Sequence, residues 1–239
     1  MSEQALILAG GLGTRLGELT KIKPKPMMEI NGKPFLEHLI SFLKKFGIDN
    51  LVITSGYLGN VIEDYFGNGE KFGVKISYIQ EKELLGTGGA IKNAKDLLHD
   101  EFYVLNGDSF CNIDFKKLKE LHVNSNSMFT LALTLAEDED NEAVVIDENS
   151  EILKVLQRHT PESIEHRKNN ITYINGGVYY VKKQVLDLIP EGKVSLENGM
   201  FPLFIEKIPF YAIKFDTKVH DIGTPLRLAL AKEVFENVN

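Results

Sequence analysis

Ala5-Leu6-Ile7-Leu8-Ala9-Gly10-Gly11 decides the fold. An apolar run without a polar face, ending in two glycines, fits a strand buried on both sides in a parallel sheet. The residues downstream continue the pattern. Residues 34–46 place Phe35, Leu36, Leu39, Ile40, Phe42, Leu43 and Phe46 at helical spacing, and Gly47 supplies a stop. Leu51 to Thr54 predicts a second strand, Val61 to Phe66 a short helix, and Val74 to Ile79 a third strand. Gly89 to Leu98 predicts a helix leaving a glycine-rich turn. Phe102 to Leu105 predicts a fourth strand that runs into Asn106-Gly107-Asp108. Strand and helix alternate, which predicts an α/β fold with a doubly wound parallel sheet.

The second half changes character. Phe129 to Thr134, Ala143 to Ile146, Ile152 to Leu156 and Phe210 to Phe215 read as strands, and Tyr173 to Val181 as a strand interrupted by Gly176-Gly177. The polar stretch from Arg158 to Asn170 predicts an exposed loop or lid. A helix from about Pro225 to Val238 closes the chain, with Pro at a helix-start position. There is no repeat and no clear linker, so residues 1–239 read as one domain whose C-terminal half elaborates the sheet.

Composition narrows the function. The 239 residues carry 27 Lys+Arg against 34 Asp+Glu, a net charge of -7. A nucleic-acid polymer needs a basic footprint, so it is excluded as a partner; a small anion is not, because local charge decides that. One cysteine, Cys111, forms no intrachain disulfide, which suits a reducing cytoplasm. No apolar run approaches the ~20 residues that span a bilayer, and the N-terminus does not read as a signal peptide.

The first glycine turn continues as Gly10-Gly11-Leu12-Gly13-Thr14-Arg15-Leu16. Such a turn after a strand is either a tight corner or a phosphate cradle. It fails the dinucleotide spacing G-x-G-x-x-G, because Leu16 stands where the last glycine belongs, and it fails the P-loop spacing. It carries its own cation, Arg15, a fixed fork of donors for phosphate oxygens. Lys21-Ile22-Lys23-Pro24-Lys25-Pro26-Met27 follows; the prolines exclude a regular helix and stiffen the backbone around Lys25. Arg15 and Lys25 together predict a local anion site in an acidic chain.

Leu8-Ala9-Gly10-Gly11-Leu12-Gly13-Thr14-Arg15-Leu16, then Leu19-Thr20, Pro24-Lys25-Pro26-Met27 and Gly32-Lys33-Pro34, resembles the N-terminal motif of the sugar-1-phosphate nucleotidyltransferases. The pattern is highly specific, and the resemblance covers nearly the whole chain. It implies a GT-A-like, Rossmann-like doubly wound mixed sheet, mostly parallel, with nucleotide bound by the N-terminal half and sugar by the C-terminal half. The reaction implied is attack of a sugar-1-phosphate oxygen on the α-phosphorus of a nucleoside triphosphate, with pyrophosphate leaving.

The resemblance assigns roles residue by residue. Ala9, Gly10, Gly11, Gly13 and Thr14 would line the nucleotide. In Glu81-Lys82-Glu83-Leu84-Leu85-Gly86-Thr87-Gly88-Gly89-Ala90, Glu81, Gly86, Thr87 and Gly88 would line the base pocket; on its own this run reads as a helix start with Thr87 as a local cap. Asp108, just past a strand end, and Asp221, in His220-Asp221-Ile222-Gly223-Thr224-Pro225, would hold Mg2+. Asn-Gly-Asp alone also reads as an Asx turn. Asn175 and Gly176 would bind the sugar, although the glycines also suit a β-bulge, and Glu197 would take sugar hydroxyls. Many relatives carry Glu-Lys where this chain has Gln157-Arg158; Arg158 retains a contact for the sugar phosphate, and the lost carboxylate points to an unusual sugar. His220 is assigned no chemistry.

Arg15, Lys25, Asp108 and Asp221 form the expected catalytic set. Arg15 would hold the pyrophosphate side, and Lys25 the attacking and α-phosphate oxygens. The nucleophile is already mostly dianionic near neutrality, with a second pKa near ~6. Positioning and charge neutralisation can therefore replace a general base.

The E-K-E-x-L-G-T-G-G-A, I-N-G-G-V-Y and D-I-G-T-P segments are most similar to guanylyltransferases that use GTP and a heptose or mannose-type 1-phosphate. Lys-Pro-Lys-Pro-Met is also similar to glucose-1-phosphate cytidylyltransferases, so CTP or UTP with a hexose 1-phosphate is the alternative. A nucleotide-sensing regulatory subunit with a dead site would usually have lost a metal aspartate or the loop cation; this chain keeps both. A nicotinamide-dependent dehydrogenase is disfavoured by the failed glycine spacing. Family members are often dimers or larger, so the resemblance allows a homo-oligomer.

Overall fold

Residues 2–11, 13–137 and 139–236 are described by the computed structural model. The apolar run forms β1 (Glu3–Ala9), in which Ala5, Leu6 and Ile7 are fully buried. After the short pair β2 (Glu29–Ile30) and β3 (Lys33–Pro34) comes α1 (Phe35–Lys45), then β4 (Ile48–Ser55), α2 (Gly59–Phe66), β5 (Lys75–Gln80), α3 (Gly86–Asn93) and β6 (Glu101–Asn106). β1 lies between β4 and β6, parallel to both, and β5 adds in parallel outside β4. This half has the doubly wound arrangement that the alternation predicts.

The second half joins the same sheet mainly in the antiparallel sense. β7 (Ser109–Cys111), α4 (Phe115–Asn124), β8 (Phe129–Leu135), β9 (Ala143–Ile146), β10 (Ile152–Leu156), α5 (Pro161–Asn169) and β11 (Tyr173–Lys182) lead to α6 (Phe201–Lys207), β12 (Phe210–Lys214), β13 (Val219–Asp221) and α7 (Pro225–Glu236). β11 runs antiparallel to β6 and β8, while β12 pairs parallel with β8. The sheet is therefore mixed, with order β10-β9-β11-β6-β1-β4-β5 and β8 and β12 branching from β11. Its two faces carry separate cores. One packs Phe35, Phe42, Phe110, Phe115 and Phe235; the other packs Phe102, Phe129, Tyr179, Phe201, Phe204 and Phe210.

Several expectations change. The stretch from Arg158 to Asn170 is not a continuous loop: α5 occupies most of it. It has almost no apolar face, so hydrophobic periodicity cannot show it. Its start is set by Thr160, whose Oγ1 accepts from Ser163 N–H at 3.2 Å, with Pro161 in the first turn. The helix expected from Gly89 begins three residues earlier and gives way to a 3-10 turn at Lys95–Leu97. Thr14–Lys21 is 3-10 helical, broken at Gly17 (φ 59°). α4 and α6 had no counterpart in the sequence reading. Val238 and Leu12 lie outside the described residues. No helix among the described residues is long and apolar enough to cross a membrane.

Candidate active site

Parallel strands deliver the site residues to one edge. β1 ends at Ala9 and β6 at Asn106, with Leu8 opposite Asn106, so the first glycine turn and Asn106-Gly107-Asp108 leave the sheet together. Gly107 N–H donates to Leu8 O at 2.8 Å. β5 brings Glu81 to the same edge, where its N–H donates to Ser55 O at 2.7 Å. Ligands of open α/β sheets bind at this carboxyl edge. Asp221 arrives from far along the chain, through the two-stranded ladder of β7 and β13, in which Ser109 faces Asp221. Ile222 N–H donates to Asp108 O at 3.1 Å, which completes the junction.

Three of the four expected catalytic residues meet at Gly223, and the fourth, Asp108, joins through Lys25. A Cβ placed there would lie 2.6 Å from Asp221 Oδ1, 3.0 Å from Arg15 Nη2 and 3.3 Å from Lys25 Nζ. Lys25 is only 6% exposed, and its Nζ donates to Asp108 Oδ2 at 2.6 Å. A short 3-10 turn, Lys25–Met27, sets its direction: Met28 N–H donates to Lys25 O at 3.1 Å. Asp221 Oδ1 accepts from Gly223 N–H at 2.7 Å, and its Oδ2 is paired with Arg227. Sequence reasoning missed Arg227. It stands in the first turn of α7, whose start Thr224 caps by accepting from Arg227 N–H at 3.2 Å. Its closeness to the D-I-G-T-P run was the available signal.

Two neighbouring cavities open here. One, ≈ 220 Å³, is lined by Gly11, Thr14, Arg15, Lys25, Asp108 and Gly223 among others. The second, ≈ 470 Å³, shares Gly11, Gly13, Thr14 and Asp108 with it and extends to Gly10, Glu81, Gly86, Thr87 and Lys193. Ala9 lines the smaller cavity and Gly10 the larger. A Cβ at Gly10 would lie 2.7 Å from Glu81 Oε1, so a larger residue there would displace that side chain. Burial raises the Glu81 carboxyl above its ordinary range, and the hydrogen bond from Leu85 N–H opposes this in part. Lys193 was not foreseen; no pattern around it pointed to the nucleotide side.

A third cavity, ≈ 330 Å³, is lined by Asp140, Glu142, Arg158, Asn175, Glu197 and Asn198, with Val144, Val155, Ile174 and Phe201 beneath. Three expected sugar residues, Asn175, Glu197 and Arg158, thus share one cavity. Gly176 does not line it. That residue sits buried in a β-bulge of β11, where the register against β8 shifts between Asn175 and Tyr179. Its O accepts from Cys111 Sγ at 2.9 Å, and a Cβ would lie 2.9 Å from Thr134 Cγ2. The bulge aims Asn175. Burial pushes the Cys111 thiol up to about 12, so it takes no part in chemistry.

Two residues of the second glycine cluster also bond to the sugar half. Thr87 makes no local cap; its hydroxyl crosses to the sugar side and donates to Glu197 Oε2 at 2.8 Å. Gly88 N–H donates to Val194 O at 2.9 Å.

Asp108 and Asp221 offer hard carboxylate oxygens, Asp108 paired with Lys25, and Asp221 with Gly223 N–H and Arg227. No cluster of three or more His, Cys, Asp or Glu able to hold a metal occurs among the described residues. Two carboxylates suit a cation that takes its remaining ligands from substrate phosphates and water.

The sequence matches the family profile described as nucleotidyl transferase over residues 4–236. It is 41% identical over 224 residues to the D-glycero-alpha-D-manno-heptose 1-phosphate guanylyltransferase of Campylobacter jejuni, spanning 93% of this chain and 95% of that one. The protein of the same name from Aneurinibacillus thermoaerophilus is 35% identical, over 93% and 94%. The structure superposes on the crystal structure of HddC from Yersinia pseudotuberculosis with a TM-score of 0.83 at 32% identity, over 98% of this chain and 100% of that one. A second crystal structure shows HddC complexed with GMP-PN.

Proposed function

The chain belongs to the nucleotidyl transferase family, and from that premise we propose that it transfers guanylate from GTP to D-glycero-α-D-manno-heptose 1-phosphate, releasing pyrophosphate. The observation that carries the reading is the meeting of Arg15, Lys25 and Asp221 at Gly223, with Asp108 paired to Lys25, beside a cavity of nucleotide size. In this reading residues 1–239 act as one catalytic unit in the cytoplasm.

Glu81 favours guanine. Its carboxylate is an acceptor at the wall of the larger cavity, and guanine presents N–H donors on its Watson–Crick edge where uracil and cytosine present fewer or others. The third cavity suits a polyhydroxylated sugar. Asp140, Glu142 and Glu197 supply acceptors, Asn175 and Asn198 supply both donors and acceptors, and Arg158 supplies a fork for phosphate.

Arg15 and Lys25 neutralise triphosphate oxygens, Arg15 on the leaving side and Lys25 beside the attacked phosphorus. Asp108 and Asp221 are the residues that would hold Mg2+, which when bound would supply further positive charge to the substrate phosphates. Lys25 is ordered in advance by its pairing with Asp108, so little reorganisation is needed as charge develops. The sugar phosphate needs no deprotonation at neutral pH, which accords with a site built from cations and carboxylates.

Pyrophosphate release with each of four triphosphates, crossed with a panel of sugar 1-phosphates, tests the proposal. GTP with the heptose 1-phosphate is expected to give the highest kcat/KM. Preference for another base overturns the role given to Glu81, and absence of release with every pair overturns the reaction.

A further inference from the structure

The nucleotide and sugar cavities share no lining residue among those described, yet an unbroken run of hydrogen bonds joins them. Thr87 lines the nucleotide cavity from the first turn of α3. Its hydroxyl donates to Glu197 Oε2 at 2.8 Å and accepts from Leu196 N–H at 2.8 Å. The other Glu197 oxygen, Oε1, accepts from the Tyr179 hydroxyl at 3.3 Å. That hydroxyl in turn accepts from Asn175 Nδ2 at 2.8 Å, and Asn175 Oδ1 accepts from Gly177 N–H at 2.8 Å in the bulge.

Tyr179 is fully buried. Its ring packs on Phe129 and Phe201, with centroids at 5.3 and 6.2 Å, and its hydroxyl bonds two residues that line the sugar cavity. A buried phenol bonded to both Asn175 and Glu197 fixes the rotamers of two side chains that face the sugar cavity. The backbone reinforces the link. Gly88 and Gly89 N–H donate to Val194 O at 2.9 and 3.2 Å, and Val194 N–H donates to Leu85 O at 2.8 Å. Residues 194–197 are thus tied to the start of α3.

We propose that Thr87, Glu197, Tyr179 and Asn175 form a relay through which an occupied nucleotide cavity pre-organises the sugar-phosphate cavity, with Thr87 and Tyr179 acting as positioning residues. The inference rests on the nucleotidyl-transfer reading of the two cavities. A nucleotide seated against the first turn of α3 restricts Thr87, and Thr87 then holds Glu197 in the rotamer that Tyr179 also selects. Ordering those groups once, on the first binding event, leaves less to be ordered on the second. Linkage makes the effect reciprocal: sugar phosphate tightens nucleotide by the same factor.

The experiment uses the full chain and the substrate pair with the highest turnover in the panel above. The triphosphate is supplied as its non-transferable α,β-methylene analogue. Calorimetry measures binding of the sugar 1-phosphate with and without the analogue. The unmodified chain is expected to show tightening of about tenfold. Thr87→Ser, which keeps the hydroxyl, retains it; Thr87→Val and Tyr179→Phe reduce it to about twofold or less. In turnover, Tyr179→Phe is expected to raise KM for the sugar phosphate and KM for the triphosphate by the same factor, each read with the other substrate saturating, while binding of the analogue to the chain alone stays unchanged, a combination that general loosening of the fold would not produce. The relay is refuted by a factor near 1 in the unmodified chain, by full coupling in both hydroxyl-deleted variants, or by Thr87→Ser behaving as Thr87→Val. Should Tyr179→Phe not fold, the two Thr87 variants decide. An unmodified chain that transfers nothing overturns the reaction itself, which separates the two failures.

Discussion

Gly223→Ala adds one methyl group where Arg15, Lys25 and Asp221 meet, and it isolates geometry from charge. Gly223 does not have a positive φ, so alanine meets no backbone penalty there. The new Cβ would sit 2.6 Å from Asp221 Oδ1, against 3.4 Å or more for an ordinary contact. Asp221 must therefore retreat by about 0.8 Å or rotate, and its 2.7 Å bond from Gly223 N–H is lost or bent. Arg15 Nη2, at 3.0 Å, must give as well. A displacement near 1 Å of a positioning group costs on the order of 10²-fold in rate. We expect kcat for pyrophosphate release to fall about 10²-fold, with a rightward shift of the Mg2+ titration through Asp221 and a change in thermal midpoint of no more than a few degrees. Continuous pyrophosphate release at saturating substrates, with a metal titration and a thermal melt of the same preparation, reads all three. A variant whose kcat stays within about threefold would refute the convergence on Gly223 as the catalytic centre.

Other perturbations reach separate parts of the site. Asp108→Asn should abolish turnover while the far-ultraviolet circular dichroism and the melt persist; near-normal nucleotide-sugar synthesis would remove Asp108 from the mechanism. Lys25→Ala should lower kcat by about 10²-fold or more with little loss of stability, because its partner Asp108 is 42% exposed and stays solvated; equal kcat at saturation sinks its role. Glu81 has its carboxyl raised by burial, so protonation on acidification removes the acceptor sooner than for a free glutamate. KM for GTP should climb below a pH that lies above the ordinary 4.5, and Glu81→Gln should flatten that limb in a pH profile and erode the preference for GTP over UTP. His122 is fully buried, with Nδ1 2.8 Å from Thr130 Oγ1, and burial lowers its pKa from 6.5 to about 4. The folded state favours the neutral ring, so this stability is complete above pH 6.5 and is lost as pH falls towards 4, by about 3 kcal/mol. Denaturant titrations across that range should show the loss in the unmodified chain and a shallower dependence in His122→Gln.

What the sequence made legible is what physics writes locally. β1 shows itself because burial on both faces demands an unbroken apolar run, and Ala5 to Ala9 is one. Asp108 could be placed at a strand end because a parallel strand delivers whatever follows it to the carboxyl edge. α5 was overlooked for the converse reason: with so little apolar face, its signal lies in Thr160-Pro161, a cap and a first-turn proline, not in periodicity. Antiparallel pairing in the second half was hidden because register between β11 and β8 is settled by a bulge at Gly176-Gly177, whose tightness depends on Ala132, Thr134 and Cys111 elsewhere in the chain.

Two of the expected site residues have partners that no local pattern shows. Thr87 bonds to a residue 110 positions away, and Lys25 to one 83 away. For Lys25 the motif supplied the role without the partner; for Thr87 it pointed to the cavity that Thr87 lines, but not to the bond from its hydroxyl to Glu197. The same geometry gives several glycines close neighbours. Gly10 makes room for Glu81, Gly86 and Gly89 for the backbone of residues 192–195, and Gly223 for three charged groups. A Cβ at Gly86 would lie 2.6 Å from Val194 O, and one at Gly89 2.3 Å from Gly192 O. Gly86 and Gly89 are therefore points at which the nucleotide half is pressed against the sugar half, not only flexible turns around a phosphate. A substitution at Gly89 should on this argument weaken sugar-phosphate binding although the residue lines neither the sugar cavity nor the cation cluster. The strain would pass through residues 192–194 to Glu197 before it reached the base.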